Sequence, residues 1–488
     1  MFRKIFSNWR LLPGLLALLL FAGTWLPGTV GAETQRELYE VRQILQQFHL
    51  FNPGEDVLNQ ESIDAIVESL GDPYTEYYTK EEWEDFQAGL EMQFTGIGVR
   101  IVAEDGVVYV EDLIPGGPAE AAGLLPGDAL VAADGESLIG LTISEVQQRL
   151  LGPEGTTVMV GVKRDGQELS FTITRASIQI PVATGLMMGD GVGYLELTGF
   201  TSNAGELFAE ELRKLEEAGL KSLIIDLRGN GGGYVSEARK IASHFIENGV
   251  LAHLRNRSGV VSSIEVSGGG KPYPVTVLVD GGTASAAELL AGALQDYRRA
   301  TLIGTPTFGK GMVQTMVALS DGGAIKFTIQ EYVTPKGRKV DGEGLHPDRF
   351  VAGESEQLLT AFRAAGGKRV EVTFPRASIM INGIKVPFPN AFIERDGKTF
   401  VRLRLIAAIA GAEVGYDEKT GTVTLKLKDT VYSLPRHDSR LINKNGWNLI
   451  ELSSAISLFP GLKAETVNGL LKITADIEPA SSESAGAE

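Results

Sequence analysis

Residues 279–294 read VDGGTASAAELLAGAL and join two kinds of periodicity. Upstream, the run VTVLVD at 275–280 is β-branched and almost wholly apolar, the pattern of a strand covered on both faces. Downstream, 286–298 is built of helix formers. Between them Gly281, Gly282, Thr283, Ala284 and Ser285 are small enough to turn a strand directly into a helix. Further apolar runs at 192–197, 222–227 and 301–304, with helical segments at 204–218 and 235–248, extend the alternation. Such alternation argues for an α/β core with crossover connections.

Ser285 sits at the turn. The helix after it would present backbone N–H groups, that of Ala286 among them, where a developing oxyanion could be held. A serine hydroxyl attacks only when a base takes its proton. The chain has no cysteine and five histidines, His49, His244, His253, His346 and His437, so thiolate chemistry is excluded and imidazole chemistry scarce. No histidine lies in a hydrolase signature, and Ser285 is not in a G-x-S-x-G elbow. Lys310, in TPTFGKGMVQT at 305–315, is the alternative base. Free lysine titrates near ~10.4, so the site must bring the amine toward ~7 to 8. Phe308, Met312 and Val313 flank Lys310, Gly309 and Gly311 let the backbone turn around it, and 305–315 contains no carboxylate. The amide of Gln314 could orient the amine. Taken alone, a lysine is more often a solvated surface charge. The run GTPTFGKG at 304–311 approaches a phosphate-binding loop, but that loop needs Ser or Thr where Gly311 stands, and strand-like residues follow it. DLRGNGGG at 226–233 can turn backbone N–H groups inward without side-chain obstruction.

At the N-terminus, Arg3, Lys4 and Arg10 precede an apolar stretch at 11–26 and then Val30-Gly31-Ala32. This order reads as an export signal, 1–32, cleaved after Ala32. An uncleaved anchor is the competing assignment, since 11–30 has about the ~20 residues a span needs. Either way the remainder is expected outside the cytoplasm, secreted or associated with the envelope. Lys plus Arg number 45 and Asp plus Glu 62, and this net charge of −17 argues against nucleic acid. Residues 33–93 read as helical, with Leu38, Val41, Leu45 and Phe48 at helical spacing, a second amphipathic segment at 57–70, and a third at 80–90 capped by Thr79. They are expected to form a packing region or a homodimer arm. Strands at 99–103, 107–112, 157–163 and 169–174, with Asp105-Gly106 and Asp165-Gly166 hairpin turns and helices at 118–122 and 143–151, mark a unit at 94–178. The core follows at 179–365. A unit of short strands and one helix at 402–410 occupies 368–476, and 477–488 reads as a disordered tail. His437 is the only histidine of that last unit and has no neighbours at metal-ligand spacing, so neither metal nor other cofactor is expected.

The stretch GIGVRI at 96–101, then GGPAEAAGLLPGDALVAADG at 116–135, resembles a PDZ domain. The resemblance implies that Phe94, Thr95, Gly96, Ile97 and Gly98 form the loop receiving a peptide C-terminus, the peptide adding as a strand. The unit after Gly367 resembles the small repeat named after the N-terminal region of copper amine oxidases; the name does not imply a metal here, and with His437 its only histidine, wall-binding or stalk duty is expected. LGDPYTEYY at 70–78, the PDZ region, DLRGNGGG, TASAAELLAGALQD, TFGKGMVQ and TPKGRKVDGEGLHPD at 334–348 together resemble the carboxy-terminal processing peptidases. This resemblance and that of the unit after Gly367 together imply a multidomain α+β protein: helical arm, PDZ domain and α/β Ser/Lys protease core from the one, and a small α+β C-terminal domain from the other. The peptidase family implies Ser285 as nucleophile, Lys310 as base, Gln314 as orienting partner, and the N–H groups of Ala286 and Gly232 as oxyanion donors. The partners are then proteins or peptides with accessible C-termini. Thr283 and Ala287 stand where the family usually has serine, and Gly231 where it has proline. A non-catalytic PDZ scaffold is the rival; an intact Ser285, Lys310 and Gln314 set argues against it.

Overall fold

The computed structural model describes residues 35–476, apart from Arg376 and Asn445. The export signal expected at 1–32 and the tail expected at 477–488 lie outside the described residues. A six-stranded sheet carries the core, in spatial order Ala183–Gly189, Val192–Leu197, Ser222–Asp226, Val275–Val279, Ala300–Gly304 and Arg349–Phe350. The first pair is antiparallel and every later pair parallel, as crossover helices require. Alternate side chains point to opposite faces. Leu223, Ile225, Val277 and Leu302 pack with the helices Ala204–Glu217, Val235–Ala242 and Ala286–Asp296. Ile224, Leu278 and Ile303 pack instead with Leu358, Leu359 and Phe362 of helix Glu354–Ala364. Burial on both faces explains the near-continuous apolar runs.

A second sheet lies beside the first, in order Glu76–Tyr78, Ala324–Val333, Asn248–Asn256 and Val261–Ser267, with Met312–Ala318 also paired to Ala324–Val333. Its presence explains one departure from the sequence-based expectation. The helix expected at 235–248 stops at Ala242, because Phe245 and Ile246 turn into the core and Asn248 begins a strand; tertiary pairing overrides local propensity. The segment expected at 57–70 is likewise two helices, Glu55–Leu58 and Ile63–Leu70, the second capped by Ser62 Oγ accepting the Ala65 N–H at 3.2 Å.

The N-terminal helices Gln35–Phe48 and Ile63–Leu70 pack Leu38, Val41, Leu45, Ile63 and Ile66 against Ile325 and Phe327 of the second sheet and Leu319 of the turn before them. The chain then adds Glu76–Tyr78 to that sheet, antiparallel to Ala324–Val333. The helix Lys80–Leu90 follows, with Thr79 and Glu82 forming a reciprocal capping box. The N-terminal region is therefore woven into the core rather than appended to it.

The PDZ unit is a sheet of Val99–Glu104, Val107–Leu113, Ala129–Ala133, Thr157–Arg164 and Gln167–Thr174, with Glu136–Ser137 paired to Ala129–Ala133. Its entry and exit, Gln93–Gly96 and Ala176–Gln179, pair antiparallel into a neck. The C-terminal unit packs Val370, Ile379, Ile406, Ile450 and Ile473 into the same apolar cluster as Ile224, Leu278 and Ile303.

Candidate active site

The strand Val275–Val279 ends in a turn held by one carboxylate. Asp280 Oδ1 accepts the N–H groups of Gly282 at 2.9 Å, Thr283 at 3.1 Å and Gly229 at 2.9 Å, so it fastens this turn to the 226–233 loop. Two more bonds join the loops: Thr283 Oγ1 donates to the Leu227 carbonyl at 2.8 Å, and the Ala284 N–H to the Asn230 carbonyl at 2.9 Å. Thr283, one of the departures from the usual serine, therefore keeps the hydroxyl that this junction uses. Ser285 then takes φ +56° and ψ −117°, a conformation rare for a residue with a Cβ. Immediately beyond it the Ala286 N–H starts the helix and has no hydrogen-bond partner among the described residues.

Gly232 lies directly against Ser285. A Cβ there would stand 2.8 Å from Ser285 Cβ and 2.9 Å from Ala286 N, so only glycine fits. Its N–H, expected to face an oxyanion, instead donates to Asn230 Oδ1 at 2.9 Å, because the asparagine side chain reaches its own backbone two residues on. Behind the loop, Asp226 accepts from Arg228 and, at 2.7 Å, from Tyr194 Oη, while Arg228 Nη1 donates to the Glu354 carbonyl at 2.9 Å.

Lys310 lies on a loop sewn to the helix Ala286–Asp296 by Glu288. This buried carboxylate accepts the Ser285 N–H at 2.9 Å, the Lys310 N–H at 2.9 Å, the Gly309 N–H at 2.7 Å and the Thr307 hydroxyl at 2.5 Å. Burial pushes its pKa up against those four bonds. Gly311 has no room for a side chain, since a Cβ would fall 2.3 Å from Asp341 N, so the serine or threonine of a phosphate-binding loop is sterically barred.

The Lys310 amine lies 5.1 Å from the centre of the Tyr74 ring. Burial and the charge of Lys326 lower its pKa to about 8, against the opposing pull of Glu76, Asp72 and Glu288. Among the described residues Ser285 Oγ and Lys310 Nζ share no hydrogen bond, and Gln314 Nε2 points to Thr328 Oγ1 at 3.3 Å rather than to the amine. Thr328 continues to Asp72, which also accepts from Thr75 Oγ1 at 2.6 Å and from the Tyr74 N–H at 3.1 Å, with His49 Nε2 at 3.2 Å. Although burial acts to raise the Asp72 pKa, these bonds hold it down at about 2. No histidine hydrogen-bonds Ser285 among the described residues; His253, for example, engages Ser263 Oγ and the Pro335 carbonyl.

Sequence reasoning about chemistry missed Glu288, Tyr74 and Lys326. Glu288 had a visible signal, a lone carboxylate in the apolar helix AAELLAGAL. Tyr74 and Lys326 had none, because their proximity to Lys310 comes from sheet pairing. In the PDZ unit, Phe94, Thr95 and Gly96 lie in the paired neck rather than an open loop, whereas the Ile97 and Gly98 N–H groups have no backbone partner among the described residues.

Residues 191–351 match peptidase family S41, 109–164 a PDZ domain, and 360–459 the copper amine oxidase N-terminal domain. A probable CtpA-like serine protease of Staphylococcus haemolyticus is 32% identical over 373 residues, spanning 73% of this chain and 75% of that protein. The carboxy-terminal processing protease CtpB of Bacillus subtilis is 31% identical over 350 residues, spanning 67% of this chain and 72% of that one. Among solved structures, a photosystem II D1 C-terminal processing protease is 28% identical, covering 68% of this chain and 98% of its own, with a TM-score of 0.46. Fold and matches together define a multidomain peptidase with a PDZ domain ahead of its catalytic core. The chain belongs to peptidase family S41, among the carboxy-terminal processing proteases.

Proposed function

We propose that this peptidase is an exported endopeptidase using a Ser/Lys acyl-enzyme mechanism. Neutral Lys310 takes the proton of Ser285 Oγ as that oxygen attacks the substrate carbonyl carbon. The oxyanion is met by the Ala286 N–H and, once released from Asn230 Oδ1, by that of Gly232. The C–N bond breaks as Lys310 returns the proton to the leaving amine, and water then hydrolyses the ester by the same route in reverse. Gln314, released from Thr328, orients the amine. The observation that carries this reading is Glu288, which accepts both the Ser285 and the Lys310 N–H and so fixes the two residues' backbones to one carboxylate.

With the Lys310 amine at about 8, turnover should rise through pH 7 to 9, and roughly a tenth of the enzyme should carry the neutral base at pH 7. Proton transfer also requires Lys310 Nζ and Ser285 Oγ to come within hydrogen-bond distance of each other. The PDZ unit, through the Ile97 and Gly98 N–H groups, captures the substrate's C-terminus while cleavage occurs elsewhere in the chain. Export is supported by the basic, apolar, small-residue order of 1–32. Mass spectrometry of an unstructured peptide incubated with wild type, Ser285→Ala and Lys310→Ala tests the mechanism. Products are expected from wild type alone; undiminished cleavage by either variant would refute the Ser/Lys assignment.

A further inference from the structure

The 226–233 loop that brings Gly232 against Ser285 leans on one neighbouring segment, 197–202. The Phe200 N–H donates to the Gly232 carbonyl at 2.9 Å, and the Tyr234 N–H donates to the Phe200 carbonyl at 2.8 Å. Asn230, whose Oδ1 accepts the Gly232 N–H, donates through Nδ2 to the Leu197 carbonyl at 2.6 Å. Phe200 and Gly233 also pair as a parallel bridge, so closely that a Cβ on Gly233 would stand 2.3 Å from the Phe200 carbonyl oxygen. A shift of 197–202 therefore carries the Gly232–Gly233 peptide with it.

The same segment meets the end of helix Lys80–Leu90, where the chain turns into the PDZ neck. There the half-buried Glu91 accepts both donors of Ser202 on one oxygen: Oε2 takes the N–H at 3.2 Å and the hydroxyl at 2.9 Å. Met92 beside it holds φ +55°, a helix-end conformation ordinarily left to glycine. Its side chain packs against the core cluster, with Sδ 3.4 Å from where a Gly199 Cβ would stand, and its carbonyl accepts the Ile180 N–H at 3.0 Å to close the neck. A surface tie ahead of helix Ala204–Glu217 is the bland account of Glu91. That account leaves out where the tie leads, since Ser202 is two residues from Phe200, which carries the glycine loop.

We propose that Glu91 is a positioning residue for the reaction: by fastening Ser202 it fixes the 197–202 segment, and through Phe200 the glycine loop that supplies the Gly232 N–H to the oxyanion. The proposal rests on the Ser285 acyl-enzyme reading. An oxyanion exists only beyond the substrate-bound state, so a displaced loop lowers kcat and leaves KM in place.

The experiment compares wild type, Glu91→Ala, Glu91→Gln and Ser202→Ala on an unstructured peptide, reading kcat, KM and inhibition by a peptide boronic acid, whose adduct with a serine puts an oxygen where the oxyanion forms. Glu91→Ala is expected to lose kcat and boronate affinity together, each on the order of tenfold, with KM held within about twofold. Glu91→Gln keeps an acceptor oxygen and recovers most of both. Unchanged kcat in Glu91→Ala overturns the proposal. A fall in kcat that boronate affinity does not follow, or that glutamine does not relieve, also overturns it, because the bond to Ser202 then has no part in holding the oxyanion donor. Should Glu91→Ala fail to fold, Ser202→Ala decides: it lacks only the hydroxyl, a severalfold loss of kcat and of boronate affinity is expected, and no loss refutes the idea. Undiminished cleavage by Ser285→Ala in the same assay would refute the acyl-enzyme reading itself, an outcome that no result with the Glu91 variants can produce.

Discussion

Ser285 holds a backbone state that costs about 1–3 kcal/mol and persists only where its surroundings over-determine it. Here the surroundings are few and nameable: Asp280 fixes the turn before it and Glu288 the amide of Ser285 itself. Glu288 accepts four donors, so Glu288→Gln would set an amide NH2 against the Ser285, Gly309 and Lys310 N–H groups, which have no other acceptor among the described residues. We expect a stability loss of about 1–3 kcal/mol by chemical denaturation and at least a tenfold fall in kcat. Unchanged kcat would show that the carboxylate holds nothing the reaction needs. Ser285 and Lys310 were legible as chemistry because their neighbours are small or apolar in sequence. The environment of the amine was not, since Tyr74, Glu76, Asp72 and Lys326 arrive from other parts of the chain.

The strand, turn and helix around Ser285 follow from local pattern, and the observed helix Ala286–Asp296 falls within the expected 286–298. The N-terminal segment is different in kind. Its helices are amphipathic and were expected as packing, but the strand Glu76–Tyr78 and the turn before it bring Tyr74 over the lysine. Asp72 anchors that turn through Thr75, the Tyr74 N–H and His49. Asp72→Asn should therefore loosen the segment and lower turnover of an unstructured peptide about tenfold or more, since small misplacement of a catalytic group is costly. Binding of a C-terminal peptide to the PDZ unit should be unaffected in the same variant, and full turnover would count against any catalytic contribution from this segment. The helix expected at 235–248 shows the limit of periodicity: its second half is apolar enough to continue the helix, yet Asn248–Asn256 is claimed by antiparallel pairing with Val261–Ser267 and Ala324–Val333.

Across the whole molecule, the C-terminal unit is more than an appended stalk. Its apolar residues join the cluster on the far face of the catalytic sheet, and it touches the PDZ hairpin, where the Asn390 N–H donates to Glu104 Oε1 at 2.9 Å and Lys385 Nζ to the Glu111 carbonyl. A chain ending at Gly366 would uncover Leu358, Leu359 and Phe362 and the sheet residues beneath them. Each fully buried Leu, Ile or Phe so exposed forfeits about 1.5–3 kcal/mol. Such a chain is expected to melt at lower temperature and to aggregate; an equally stable, monodisperse product in calorimetry and light scattering would show that the shared cluster is dispensable.

From sequence alone came the alternation that makes an α/β core and Ser285, Lys310 and Gln314 as the residues to examine, because period, turn chemistry and side-chain type are local properties; the PDZ and C-terminal units came from resemblance to known families. Tertiary structure alone decided that the N-terminal segment borders Lys310, that Glu288 fastens the Ser285 and Lys310 loops together, and that the Gly232 N–H is held by Asn230. Each of those depends on strand pairing or burial between distant segments. Proximity of that kind sets the charge, hydration and hydrogen bonding of a group, and it has no counterpart in the spacing of residues along the chain.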